Sequence, residues 1–204
     1  MIVVVEGVSA AGKTTWCRKY FPDCTIPETG TCPEAPDRLE DVSGAARFWA
    51  RKNAERWAAA QMMERAGGLA VCDTDPLKLH YVWSLWQIGK VPKLVWEAEC
   101  VAVRDEVAGG RLGFADIYLV KEIEPSLALQ QRNADDTRSR RNFELHILLE
   151  PAVIAWYLAL ERLLPGRVIW GLPEDGRISF PVVVNQPVTN LEIFDRLTES
   201  LADF

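Results

Sequence analysis

The chain opens on an unbroken apolar run rich in β-branched residues, Ile2-Val3-Val4-Val5, closed by Glu6, and that pattern predicts a strand over 2–6. A glycine-rich stretch follows, and residues 12–20 then carry a helical pattern. A short strand at 25–26 leads into Pro27-Glu28-Thr29-Gly30, and Pro33 and Pro36 mark 31–41 as a loop. Residues 43–66 are rich in Ala, Arg and Glu with apolar positions recurring near every 3.6, a long helix expected to start on a Ser43 cap and to end at Gly67-Gly68. Leu69-Ala70-Val71-Cys72-Asp73 reads as a buried strand finishing on an acid. Helical patterns over 76–88 and 92–107 follow, the second closed by Gly109-Gly110. A strand is predicted over 115–121, a short helix over 124–131 and a polar, charge-dense segment over 132–141. One long helix over 142–164 is stopped by Pro165-Gly166, strands are expected at 167–170 and 181–184, and a final helix over 190–201. Strands and helices thus alternate throughout, the signature of an α/β fold on a mostly parallel sheet. With no repeat, low-complexity tract or linker, residues 1–204 are expected to form a single domain.

Composition narrows the partners. The 204 residues are 49% hydrophobic and 25% charged, which suits one soluble domain with a sizeable core. A net charge of −6 argues against a nucleic-acid backbone or an anionic membrane as main partner. Five cysteines without regular spacing read as reduced thiols rather than a disulfide framework, which points to the cytoplasm. The first apolar run is too short, and wrongly flanked, for a signal peptide, and no stretch is long enough to span a membrane.

The chemistry concentrates in Gly7-Val8-Ser9-Ala10-Ala11-Gly12-Lys13-Thr14-Thr15, which has the spacing G-x-x-x-x-G-K-T between a strand and a helix. Gly7 and Gly12 permit a tight turn whose N–H groups, from Ser9, Ala10 and Ala11 through Thr15, converge on an anion. The helix beginning near Lys13 adds its positive end. Lys13 is placed to reach the β- and γ-phosphates of ATP, and the Thr14 hydroxyl to ligate Mg²⁺. Asp73, at the end of an apolar strand, is the matching carboxylate for the ion, and Asp75 either shares that task or serves the acceptor. Arg132, Arg138, Arg140 and Arg141 crowd one hydrophilic segment of an acidic protein, as expected of guanidinium groups closing over a transferring phosphoryl. Arg132 and Arg138 are the two expected to touch phosphate, whereas Arg47 and Arg51 read as exposed helix residues.

The order of phosphate loop, strand ending in Asp73, Ala115-Asp116-Ile117-Tyr118-Leu119-Val120, arginine-rich stretch and long helix resembles the P-loop kinases of nucleosides and nucleotides. Deoxynucleoside and thymidylate kinases are the nearest in kind, and Asp73-Thr74-Asp75 also resembles nicotinamide riboside kinases. The resemblance implies a three-layer α/β/α P-loop NTPase fold, a five-stranded parallel sheet in the order 2-3-1-4-5, and an arginine-bearing lid near 132–141. It implies for Glu28 the role of the glutamate in the Pro-Glu-Pro segment of deoxynucleoside kinases, which holds the sugar hydroxyl and acts as base. Thr29 here replaces the second proline, and Thr74 stands where that family has the arginine of Glu-Arg-Ser, so Asp75 remains an alternative base. The donor base is expected near Gln186, by family position.

Eight tryptophans leave room for a stacking wall: Tyr81, Trp83 and Trp86 on one helix, with Phe48 and Trp49 facing them. His80 and His146 read as structural. An Mg-ATP-dependent kinase acting on a hydroxyl of a nucleoside-like small molecule is the expected function, with a monophosphate acceptor or an antibiotic as variants. A nucleotide-hydrolysing regulatory module is disfavoured, because Thr74 follows Asp73 where many hydrolysing ATPases carry glutamate. The apolar helices leave a homodimer open.

Overall fold

A computed structural model describes residues 1–124, 126, 130, 143–178 and 189–201. Five strands form one parallel sheet, β1 (Ile2–Glu6), β2 (Thr25–Ile26), β3 (Ala70–Asp73), β4 (Ile117–Val120) and β5 (Val168–Trp170), in the order β2-β3-β1-β4-β5. This is the expected 2-3-1-4-5 arrangement. Strand pairing is in step: Val5 lies beside Asp73 and Leu119, and Ile26 beside Cys72. The carboxyl ends of β2, β3 and β1 therefore finish side by side, and the loops that leave them face one another.

The helices are α1 (Lys13–Tyr20), α2 (Val42–Gly67), α3 (Leu79–Gln87), α4 (Lys93–Ala108), α5 (Phe143–Leu148), α6 (Glu150–Leu163) and α7 (Asn190–Ser200). Successive β1 residues point to opposite faces, so Ile2 and Val4 join one core and Val3 and Val5 another. Trp16 and Cys17 of α1 cover the Val3 face, while α2, α3, α4, α6 and α7 bury the other, larger one. At about 25 cal/mol per Å² of apolar surface, such two-sided burial is the main force holding the sheet.

Three boundaries differ from the sequence expectation. The α2 cap is Asp41, whose Oδ1 accepts from Gly44 N–H at 2.8 Å, and not Ser43. The helix expected over 76–88 starts only at Leu79, because Lys78 adopts φ 51° and Asp75 closes a turn by accepting from Leu77 N–H at 2.9 Å. The helix expected over 142–164 is two, α5 and α6, divided at Leu149. Pro151 accounts for the break: it has no N–H to give to the preceding turn and fits only at a helix start. The strand expected at 181–184, five of the eight residues of the 124–131 helix and the whole 132–141 lid lie outside the described residues. No helix among the described residues is long and apolar enough to cross a membrane, and the five cysteines form no disulfide.

Candidate active site

The phosphate loop leaves β1 at Gly7, whose φ of 143° falls in the region that favours glycine. A Cβ there would come within 2.4 Å of the Lys121 carbonyl oxygen, so Gly7 is also required by the close approach of the chain after β4. Ala10 at φ 71° and Gly12 at φ 84° complete the reversal that delivers the start of α1. Lys13 Nζ donates to the Gly7 carbonyl at 2.5 Å and to the Val8 carbonyl at 3.0 Å, which folds its charge over the mouth of the loop. All nine residues from Gly7 to Thr15 line one cavity of about 770 Å³, within the size range of small-molecule sites.

Beside the loop, the Thr14 hydroxyl donates to Asp73 Oδ2 at 2.6 Å. The other oxygen, Asp73 Oδ1, is enclosed and has no hydrogen-bond partner among the described residues. An unpartnered buried carboxylate oxygen next to a threonine hydroxyl is the donor set a magnesium ion takes. Among the described residues no three His, Cys, Asp or Glu side chains gather to hold a metal by themselves. Phosphate oxygens and water would have to complete the shell, as Mg²⁺ prefers.

Glu6 ties the loop to its surroundings. Its Oε1 accepts from Gly7 N–H at 2.8 Å, and its Oε2 from Asp75 N–H at 3.0 Å, with His80 Nε2 at 3.3 Å. Burial would raise its pKa, yet the charges of His80, Lys13 and Lys78 together with the Asp75 N–H bring it down to about 2. Burial pushes His80 the other way, to about 4 against the pull of Glu6, so at neutral pH a neutral imidazole faces an ionised carboxylate.

Glu28 reaches the cavity from the end of β2 with its side chain 51% exposed, and accepts from Lys78 Nζ at 2.6 Å. Burial raises its pKa, but Lys78 overrides this by charge and hydrogen bond, so the group is held below its ordinary value and ionised at neutral pH. Asp75, by contrast, does not line the cavity. It is buried, accepts from Leu77 N–H and from the Tyr157 hydroxyl at 3.1 Å, and is pushed up to about 7 by burial. The structure thus brings Glu28, Lys13 and Thr14 to one space, with Asp73 behind Thr14, and sets Asp75 in the wall behind them. Arg132, Arg138 and Gln186 lie outside the described residues.

The remaining wall holds residues that sequence patterns did not single out. Arg56, buried on α2, donates through Nε to Pro27 O at 3.0 Å and through NH2 to the carbonyls of Asp73 and Thr74 at 2.9 and 3.0 Å, clamping the ends of β2 and β3 together. Asn53, Arg38 and Glu99, equally unanticipated, also line the cavity, together with Trp49, His80 and His146. Two polar residues, Asn53 and Arg56, interrupting the buried alanine and tryptophan face of α2 were the available signal. The expected aromatic wall is corrected: Tyr81 and Trp49 line the cavity, while Trp83 packs with Trp156, Trp86 stacks on Trp96, and Phe48 meets Trp49 edge-on. Both histidines, expected to be structural, border the site. Arg47 and Arg51 are exposed and stay outside it.

No family model matches the chain, and no curated protein does. Solved structures do. The structure of a deoxyadenosine kinase from M. mycoides with bound dATP superposes with a TM-score of 0.57 at 11% identity, over 99% of this chain and 100% of that one. A second structure of that kinase, with the products dCMP and a flexible dCDP bound, gives a TM-score of 0.55 at 12% identity over the whole of both chains. At that identity the likeness establishes the fold: the chain has the P-loop architecture of these nucleoside kinases.

Proposed function

We propose that the protein is an Mg-ATP-dependent kinase that moves the γ-phosphoryl group to a hydroxyl of a nucleoside-like small molecule. The observation that carries this is the meeting, in one cavity, of a phosphate loop whose Thr14 contacts Asp73 and an ionised Glu28 at the neighbouring strand end. The fold shared with a deoxyadenosine kinase supports it.

In this reading the loop N–H groups and the start of α1 bind the β- and γ-phosphates. Lys13 exchanges its two loop carbonyls for phosphate oxygens. Thr14 and Asp73 would hold Mg²⁺, which neutralises charge on the phosphates. Glu28 accepts the proton of the acceptor hydroxyl as its oxygen bonds to the γ-phosphorus and the bond to the β-phosphate oxygen breaks, leaving ADP. Lys78 keeps Glu28 ionised until then. Arg132 and Arg138 are assigned to the γ-oxygens, and Gln186 to the donor base, from the family resemblance.

Charge matching favours a hydroxyl over a phosphate acceptor. On the acceptor side, Lys78 is paired with Glu28, Arg38 with Glu99, and Arg56 with three carbonyls. Of the described lysines and arginines that line the cavity, only Arg18, on the helix that follows the phosphate loop, stands without such a partner. The deciding experiment is ADP release from Mg-ATP in the presence of pooled nucleosides, nucleotides, nicotinamide riboside and hydroxylated antibiotics. Nucleosides should stimulate it well above the rate without acceptor. Brisk release that no acceptor changes would identify a hydrolase and sink the kinase reading.

A further inference from the structure

Backbone strain in this molecule gathers around the cavity. Among the described residues, three other than glycine have a positive φ, Ala10 at 71°, Thr74 at 72° and Lys78 at 51°, and all three line it. Such conformations persist where the surrounding structure imposes them, and they concentrate at functional sites. Lys78 is the least expected of the three. It occupies the cap position of α3 with no side-chain cap hydrogen bond, where short polar residues are preferred and the helix start repels a cation. Its Nζ donates to Glu28 Oε1 at 2.6 Å and lies 5.7 Å from the centre of the Tyr81 ring. Glu28 Oε2 has no hydrogen-bond partner among the described residues, so it is free to take a proton. Burial would lower the Lys78 pKa, but the charges of Glu28 and Glu6 hold it above its ordinary value, so Lys78 is a cation at neutral pH. Lys13 also acts on Glu28 by charge, which puts one carboxylate within electrostatic reach of both lysines.

Resting on the kinase reading, we infer that Lys78 is a catalytic residue whose ammonium leaves Glu28 for an oxygen of the transferring phosphoryl group as Glu28 takes the acceptor's proton. The order follows from charge. Before reaction, Glu28 is ionised and holds the ammonium in a charge-assisted hydrogen bond. As the acceptor O–H bond breaks, its proton goes to Glu28 Oε2, and the oxygen's electron pair forms the bond to the γ-phosphorus. The bond from that phosphorus to the β-phosphate oxygen breaks, and ADP leaves with its electrons. Glu28 is then neutral and no longer attracts Lys78 by charge. Negative charge meanwhile lies on the equatorial oxygens of the phosphoryl group in flight. Lys78 keeps all of its protons and only changes the acceptor of its hydrogen bond. Among the described paired cations of the cavity wall, Lys78 alone has a partner that the reaction itself neutralises. Arg38 keeps Glu99, and Arg56 keeps its three carbonyls. A contact made only in the transition state lowers the barrier without tightening ground-state binding.

The test is ADP release from Mg-ATP by the full chain, with ribo- and 2′-deoxynucleosides as acceptors, at pH 7 and pH 9. Two variants remove the ammonium in different ways. Lys78→Gly suits the left-handed backbone at that position, and Lys78→Met keeps a stem of similar length beside Tyr81. Both should keep native circular dichroism; if one fails to fold, the other carries the comparison. Each should lower kcat about a hundredfold, the scale of losing one contact to transition-state charge, with KM for Mg-ATP and nucleoside within about threefold of the parent. The loss should be as large at pH 9 as at pH 7. That comparison separates contact from tuning. The charged or titratable groups facing Glu28 are Lys78, Lys13, Glu6, His80 and His146. Burial holds both histidines below their ordinary value, so both are neutral at pH 9. Without Lys78, Glu28 binds its proton more tightly, and pH 9 ionises it again. If Lys78 did no more than keep Glu28 ionised, the loss would vanish at pH 9, and that outcome overturns the inference. A loss smaller than about tenfold in a folded variant overturns it too. In either case a parent stimulated by nucleosides leaves the kinase reading standing. If nucleosides do not stimulate the parent, the kinase reading falls first and takes this inference with it.

Discussion

Lys13 and Glu28 occupy opposite sides of the proposed reaction, and their environments predict different kinetic signatures. Lys13 is a donor-side charge held by two loop carbonyls. Lys13→Ala should lower kcat by about a hundredfold or more, the scale of losing one preorganised electrostatic contact, while circular dichroism stays native. Full activity in that variant would overturn the donor-site assignment. Glu28 is an acceptor-side carboxylate paired with Lys78. Glu28→Gln should cost about 10²–10⁴ in kcat, as expected for a lost general base, and leave KM for ATP nearly unchanged. An unaltered kcat would move the base to Asp75, despite its place in the wall with Leu77 and Tyr157. Glu28 itself was legible because it follows a short strand and because Pro27-Glu28 resembles the Pro-Glu-Pro segment of deoxynucleoside kinases. Asn53, Glu99 and Arg38 were not, because each sits at the cavity only once α2, α4 and the loop before α2 are packed.

Elements carry a different kind of information, and their ends show it best. A serine at the start of a helical pattern is a good cap on statistics alone, yet Asp41, two residues earlier, takes the role because its Oδ1 reaches Gly44 N–H. Asp41→Ala should therefore cost about 1 kcal/mol in chemical denaturation, and Ser43→Ala close to nothing. Equal effects would return the cap to Ser43. The division between α5 and α6 has a local cause in Pro151, whereas the late start of α3 follows from the Asp75 turn and the left-handed Lys78. The β1–α1 junction is the most demanding. Gly7→Ala forces a side chain into the Lys121 carbonyl at a backbone angle it rarely adopts. It should lower Tm by several degrees and abolish the rise in Tm that the proposed Mg-ATP site is expected to give; a variant stabilised by Mg-ATP as fully as the parent would contradict this. These elements set the phosphate loop before any ligand binds.

Over the whole molecule, stability and site share one buried network around Glu6, His80 and Asp75. His80 has a folded pKa near 4 against 6.5 for the free group, so between those values the unfolded chain binds more protons. Stability from this group is complete above pH 6.5 and is lost as pH falls toward 4. Asp75, raised from 3.8 to about 7, acts in the opposite sense, so the comparison must be with a variant. Between pH 7 and pH 4.5, Tm should fall less in His80→Gln than in the parent; an identical fall would mean that His80 is not buried neutral. The β-branched run into Gly7–Thr15, the strand ending in Asp73 and the alternation of strands with helices are short-range patterns, and they determined the α/β class and the phosphate cradle, because neighbouring residues alone dictate pleat, turn and helix start. Resemblance to the nucleoside kinases then anticipated the 2-3-1-4-5 sheet order. Tertiary structure alone decided which polar groups meet. Arg56 joins Pro27 to Asp73 and Thr74, Lys78 finds Glu28 across fifty residues, and Arg38 finds Glu99 across sixty-one. Contacts at such separations follow from how helices pack over the sheet, and no local pattern of side chains encodes them.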